Sequence, residues 1–299
     1  MKVIDVPASL DYTSLDPFLG EVELTASSGE RALLDARHLR FADPAGIVAL
    51  LSAGSLLRSR SGAPVPLSLP EQSEVQGYLS RAGFFQEGAE IFTLEARPPR
   101  RGGGGSDVLL ELTAIHSNRD VHAVVDRVQG RAGTILSRTL HYPATAAIQF
   151  SVVLSEVCQN VVEHAEGPGW VCAQVYTWTR RLGRQVLVLS VGDLGRGFRG
   201  SLSSEHSARF GDRWSDAAAL EAAFLHGITR FPDPGRGQGL QQIRRQIRKW
   251  GGLLQVRSGT ARIADVPDWD STPPMTKGLP FFPGAQITAV LPAREPEST

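Results

Sequence analysis

The chain is poor in cysteine: among 299 residues only Cys158 and Cys172 occur. Both sit among apolar neighbours, and the expected state is two buried thiols in a reducing compartment. No uncharged apolar run reaches roughly 18 residues, so no transmembrane helix and no membrane partner are expected. The start, M-K-V-I-D-V-P, lacks a long apolar core and a cleavage site, so a signal peptide is not expected. Neither sign of charge is in excess, with 31 Lys and Arg against 31 Asp and Glu. That balance argues against a dominant nucleic-acid or membrane-surface footprint. No internal repeat is visible. Together these absences point to a soluble cytoplasmic protein. What is present is 41 % hydrophobic and 21 % charged residues, enough apolar material to bury a core. The length suggests one large or two ordinary domains.

The clearest boundary is the run that starts at Arg97 and reads R-P-P-R-R-G-G-G-G-S. Two prolines followed by four glycines make residues 98–106 a flexible linker, with its arginines solvated. It divides a first domain, 1–97, from a second, 107–293, with a tail at 294–299. In the first, 31–35 and 64–69 read as strands. Between them Asp43 is a good N-cap and Pro44 a good first helical residue. That helix should run to about Arg60 and end at Ser61-Gly62. A helix over 71–82 stopped by Gly83, then a strand over 90–95, complete an α/β alternation.

The stretch L-L-D-A-R-H-L-R-F-A-D-P-A-G-I-V-A-L-L, with S-G-A-P-V-P-L-S-L-P and V-Q-G-Y-L-S-R-A-G-F-F after it, resembles STAS domains, the family that includes anti-sigma-factor antagonists. In that family an Asp-Ser/Thr-Ser/Thr-Gly tetrad opens a helix, and its second hydroxyl takes phosphate from a partner kinase. Here the tetrad is Asp43-Pro44-Ala45-Gly46. Ala45 has no hydroxyl, so phosphorylation at that position is impossible.

After the linker, 108–115 alternates as a strand, and 120–140 and 144–166 have helical spacing. Residues 170–179 and 185–191 read as strong strands joined by a short turn. Helices follow at 217–226 and 240–250, and strands at 253–258 and 285–291. The proline-rich segment 260–284 reads as a long surface loop. The helix at 144–166 contains V-V-L-S-E-V-C-Q-N-V-V-E-H, in which Glu156, Asn160 and Glu163-His164 fall on one face. A carboxylate and an amide in an apolar helix need partners, and a hydrated metal carrying phosphates is one. A solvated helix face is the plainer reading from this stretch alone.

Two glycine-rich turns lie downstream. Gly192-Asp193-Leu194-Gly195-Arg196-Gly197 follows a strand, lets the backbone approach a ligand, and places a carboxylate at the strand end. Gly195 to Gly200 also fits G-x-G-x-x-G, but residues 201–207 are polar and do not read as the apolar helix a dinucleotide fold needs. Gly235-Arg236-Gly237-Gln238-Gly239 precedes the helix that begins at Leu240, an arrangement whose free N–H groups favour phosphate. No G-K-[ST] is present, so this is not a P-loop.

These three boxes, in this order, resemble the ATP-binding domain of the gyrase, chaperone, histidine-kinase and mismatch-repair superfamily (GHKL, or Bergerat fold), over roughly 107–293. The resemblance implies a two-layer α/β sandwich with Asn160 as a ligand to Mg²⁺ and Asp193 on the adenine amine. Gly195, Gly197, Gly235, Gly237, Gly239 and Leu240 would lie around the phosphates, and about 198–234 would form a mobile ATP lid. Glu156, four residues before Asn160, implies a general base, or alternatively a structural carboxylate on the magnesium waters. The box E-V-C-Q-N-V-V-E-H-A is most similar to the anti-sigma-factor serine kinases, with His164 at the His of their box. His116, His122 and His141 lack the context of a phosphoacceptor histidine, so a sensor histidine kinase is not expected.

The implied function is an Mg·ATP-dependent serine/threonine kinase of partner-switch type, acting on a separate STAS-type antagonist or sigma-like regulator. A non-catalytic ATP/ADP-gated switch and a slow ATPase are the alternatives. Homodimer formation is left open.

Overall fold

A computed structural model describes residues 1–99, 108–165, 167–178, 182–229 and 239–295. Most of the expected linker, Gly235 and Gly237, and the last four residues lie outside them. The first part of the chain runs β1 (Lys2–Asp5), β2 (Ser9–Leu10), α1 (Leu15–Ser28), β3 (Ala32–Asp35), β4 (Phe41–Ala42), α2 (Pro44–Ser61), β5 (Val65–Ser68), α3 (Ser73–Arg81), α4 (Phe84–Glu87) and β6 (Phe92–Leu94). Strands β1, β3, β5 and β6 form a parallel sheet in that order, and β2 pairs with β4.

Local chemistry accounts for α2. The Asp43 carboxylate accepts a hydrogen bond from the Gly46 N–H at 2.7 Å, Pro44 opens the helix, and Gly62 closes it with φ 71°. The sequence P-A-G-I-V-A-L-L-S-A-G-S-L-L is apolar on every side, and α2 is accordingly buried nearly all round. Neither β1 nor α1 is expected from the sequence pattern. Pro17 and Gly20 weaken the helical signal of α1, yet neither breaks it. Pro17 falls in the first turn, where its missing N–H has no helical partner to lose. Gly20 is where Pro280 packs against the helix, and a Cβ there would collide with it.

The second part runs β7 (Val108–Ile115), α5 (Asn118–Thr134), α6 (Ala146–Asn160), β8 (Gly169–Trp178), β9 (Arg184–Asp193), α7 (Gly197–Phe210), α8 (Asp216–His226), α9 (Gly239–Lys249), β10 (Leu253–Ser258), β11 (Ala261–Asp265), β12 (Met275–Lys277) and β13 (Ala285–Pro292). Its strands form one sheet in the order β12-β11-β10-β13-β9-β8-β7, antiparallel at every pairing. The expected loop at 260–284 is therefore corrected. Residues 261–265 and 275–277 extend the sheet, and the prolines fall in the connections on either side of the second of those strands. The polar stretch at 201–207 is helical, within α7. A dinucleotide fold is still excluded, because β9 is antiparallel to both its neighbours and opens no βαβ unit.

Both faces of this sheet are buried. Val171, Ala173, Leu187, Leu189 and Val191 face α5, α6 and α9. The alternate residues Trp170, Cys172, Val186, Val188 and Val290 belong to the core shared with α1, α2 and the parallel sheet. This explains why β8 and β9 read as continuous apolar runs rather than alternating ones. Both cysteines are free and buried. The chain is thus a mixed α/β molecule in which the first unit forms a further layer on the second. Among the described residues no helix is long and apolar enough to cross a membrane.

Candidate functional site

Helix α6 buries Phe150, Val153, Leu154, Val157 and Cys158 against the sheet and its neighbouring helices. That leaves Glu156 and Asn160 half-buried on the opposite edge. Immediately after Asn160 the backbone widens into a π-helical turn, Val161–Ala165, a departure from α geometry that is common at binding sites. The chain then reverses into β8, whose first residue, Gly169, pairs directly with Asp193 at the end of β9.

The loop after Asp193 is fastened to the turn after α6. Leu194 N–H donates to the Pro168 carbonyl at 3.0 Å, and Arg196 N–H to the Ala165 carbonyl at 3.2 Å. Gly195 lies so close to Ala165 that a Cβ would strike its carbonyl. Gly197 has φ 63°, and a Cβ there would stand 2.6 Å from Ser258 Oγ and 2.9 Å from the Gly284 carbonyl. A side chain at Gly197 would therefore be strained as well as crowded. Ser258 Oγ locks this corner, accepting from Phe198 N–H and donating to the Gly284 carbonyl, each at 3.0 Å.

These connections bring Glu156, Asn160, Asp193, Gly197, Gly239 and Leu240 to the wall of one cavity of about 380 Å³. Gly195 stands behind Asp193, and its N–H donates to Asp193 Oδ1 at 2.8 Å. Gly235 and Gly237 lie outside the described residues, so only the end of that turn is seen. There, Gly239 opens α9 directly against the Glu156 carboxylate, and a Cβ would collide with Oε2. The stretch expected to be a lid folds as α7 and α8 up to Thr229, and Phe198, Ser201 and Leu202 of α7 line the cavity. The cavity wall between the polar groups is apolar, with Val157, Val161, Val191 and Ile287.

Burial raises the Asp193 carboxyl to about 6, against the lowering effect of the Gly195 and Ala285 N–H groups. The Glu156 carboxyl is also raised, first by burial and then by the nearby Glu163 carboxylate. Glu163 lines the cavity, and its Oε1 accepts from Gln159 Nε2 at 3.1 Å. Among the described residues no lining side chain is a lysine or arginine. Nor do three or more His, Cys, Asp or Glu side chains cluster to hold a metal. The donor set fits a magnesium ion that keeps water and ligand oxygens and takes few protein ligands, with Asn160 the amide placed to serve.

Sequence reasoning did not find Ser201, Thr229 or Gln242, all of which line the cavity. Gln242 sits in the first turn of α9 and could have been found from helix position. Ser201 and Thr229 carry no local signal.

No family model matches the chain, and a search of curated proteins returns no match.

Proposed function

We propose that the cavity binds Mg·ATP in the manner of a Bergerat-fold domain. The observation that carries this reading is that three distant stretches, around Asn160, Asp193 and Gly239, meet on one apolar-walled cavity. A flat adenine would lie against Val157, Val191 and Ile287, its exocyclic amine donating to the Asp193 carboxylate. The phosphates would lie toward Gly239 and the N-terminus of α9, where N–H groups and the helix dipole favour negative charge. Asn160 would hold magnesium, which when bound neutralises phosphate charge beside an otherwise acidic wall.

The finer reading is a protein serine/threonine kinase acting on a separate STAS-type protein. Glu156 is half-buried, and burial and the Glu163 carboxylate raise its carboxyl, which makes it a stronger base than an exposed glutamate. It would take the proton from an incoming hydroxyl as the oxygen bonds to the γ-phosphorus and ADP leaves with the bond electrons. A second reading, a non-catalytic nucleotide-gated switch, has its own support. Ala45 is fully buried and its carbonyl accepts from Gln286 Nε2 at 2.9 Å, so the STAS-like unit is held as a standing partner of its own chain.

Nucleotide titration by calorimetry, with and without Mg²⁺, tests the shared claim. Wild type should bind ATP more tightly with magnesium, and Asn160→Ala should lose about tenfold or more of that affinity while keeping its circular dichroism spectrum. Equal binding with and without Mg²⁺, or an unaffected Asn160→Ala, would overturn it. Labelled ATP with a STAS-type acceptor then separates the two finer readings. Transfer that Glu156→Gln abolishes supports the kinase.

A further inference from the structure

The first unit of the chain reaches the back of the proposed adenine site. Strands β9 and β13 carry that site at their ends, and the register pairs Gln286 with Gly192, one residue before Asp193. On the cavity side, Ala285 lines the cavity beside Asp193, and a Cβ at the preceding Gly284 would stand 2.8 Å from Asp193 Oδ1. On the opposite side, Gln286 points at α2. Its Nε2 donates to the Ala45 carbonyl at 2.9 Å and to Ser190 Oγ at 3.1 Å. Ser190 is fully buried and within 3.2 Å of Thr288 Oγ1, so the link is anchored in the sheet. Beside it Val48 of α2 fills the space over Gly192, where a Cβ would stand 2.8 Å from Val48 Cγ1. Gly284, just before Ala285, has φ 78° and lies under the Asp193 backbone, where a Cβ would strike the Asp193 carbonyl. The corner of 192–193 and 284–286 is therefore clamped between the cavity on one side and α2 on the other.

We infer that Gln286 is a positioning residue for adenine recognition, through which helix α2 of the first unit sets the placement of Asp193. This rests on the Mg·ATP reading of the cavity and adds a regulator to it, namely the docked state of the STAS-like unit. Gln286 touches no nucleotide. It acts by fixing the strand end at 284–286, whose Gly284 packs directly against the backbone and carboxylate of Asp193. If α2 shifts, the Ala45 bond and the Val48 contact shift with it, and the acceptor for the adenine amine moves. Docking of the first unit and adenine binding are then linked, each favouring the other.

The test compares ATP with inosine triphosphate, whose ring bears an oxo group in place of the exocyclic amine. Affinities are measured by calorimetry on the full-length protein for wild type, Gln286→Leu, Val48→Ala and Leu34→Ala. Leu34 is fully buried in the parallel sheet, and its truncation serves as a control for loss of stability alone. Gln286→Leu should weaken ATP binding about tenfold, the cost of a misdirected hydrogen bond to a carboxylate, with inosine triphosphate unchanged. Val48→Ala should shift the same ratio in the same direction, and it decides the matter if Gln286→Leu does not fold. Leu34→Ala should lower thermal stability with the ratio intact.

A wild-type ratio in Gln286→Leu, or in Val48→Ala where the former does not fold, overturns the inference and leaves ATP binding standing. So does an equal fall of the ratio in Leu34→Ala. A wild-type protein that binds neither nucleotide, or both alike, overturns the adenine reading and this inference with it.

Discussion

Asp43 shows how one residue can serve a helix and strain its surroundings. Its carboxylate caps α2 through Gly46 N–H and also accepts from Tyr12 N–H at 3.2 Å. Yet it is 1 % exposed, and burial pushes its carboxyl up to about 7 in spite of those donors. In an unfolded chain an aspartate ionises near 4, so from there to about 7 the folded state holds a proton that the unfolded state has lost. The stabilising effect is complete below the unfolded value and is lost as pH rises through the folded one. Stability should therefore fall between about pH 4 and 7, by on the order of 4 kcal/mol from this group, and level off above. Asp43→Asn keeps one acceptor for Gly46 and removes the titration. Its urea midpoint should lack that fall, so the wild-type minus variant difference should decrease steadily across the window. A difference that stays flat with pH would show that Asp43 does not titrate there.

At the scale of elements, α1 is held to the antiparallel sheet by a buried ion triad. Asp16 accepts from Arg257 Nε at 2.8 Å and from Arg262 Nη1 at 2.9 Å, and the Arg257 side chain is 5 % exposed. Arg257 also donates to the Gly259 and Pro280 carbonyls. Removing the one carboxylate would leave two neighbouring guanidinium groups with no counter-charge in the triad. Asp16→Ala should thus destabilise the protein by about 3 kcal/mol, far beyond a surface pair, as read from its denaturation midpoint. The same elements mark what the sequence could disclose. Helix α2 was legible because Asp43-Pro44 and Gly62 bracket an apolar run, and every rule for start and stop is local. The stripe of Glu156 and Asn160 was legible because helical period puts them on one face. The strands at 261–265 and 275–277 were not, because only their partners in β10 define them, and the prolines between them imitate a loop. The meaning of Gln174, Gln255 and Gln286 was equally hidden. On single strands they read as a solvated face, but Gln174 accepts from the Tyr78 hydroxyl, and Gln255 and Gln286 donate to the Tyr12 and Ala45 carbonyls. No rule of sequence spacing foretells a partner up to 243 residues away.

For the whole molecule, the consequence is that the glycine-rich boundary does not separate two self-sufficient bodies. The face of the antiparallel sheet turned toward α2 presents Trp170, Cys172, Val186, Val188, Leu253 and Val290, all buried in the core shared with the first unit. That face also carries polar groups whose hydrogen bonds end on the first unit, as with Gln255 and Arg257. A sheet stripped of this cover would expose an apolar patch well above the few hundred Å² that soluble monomers tolerate. It would also leave Arg257 without Asp16. A chain beginning near residue 100 should therefore express as aggregate, or as a species that binds anilinonaphthalene sulfonate and melts without cooperativity, even though it contains the entire cavity. Adding residues 1–99 back as a separate chain should restore solubility and a single cooperative transition, because the seam supplies both the apolar cover and the missing hydrogen-bond partners. A soluble, cooperatively folding fragment without them would show instead that the antiparallel unit closes its own core and that the first unit is a dispensable visitor on it.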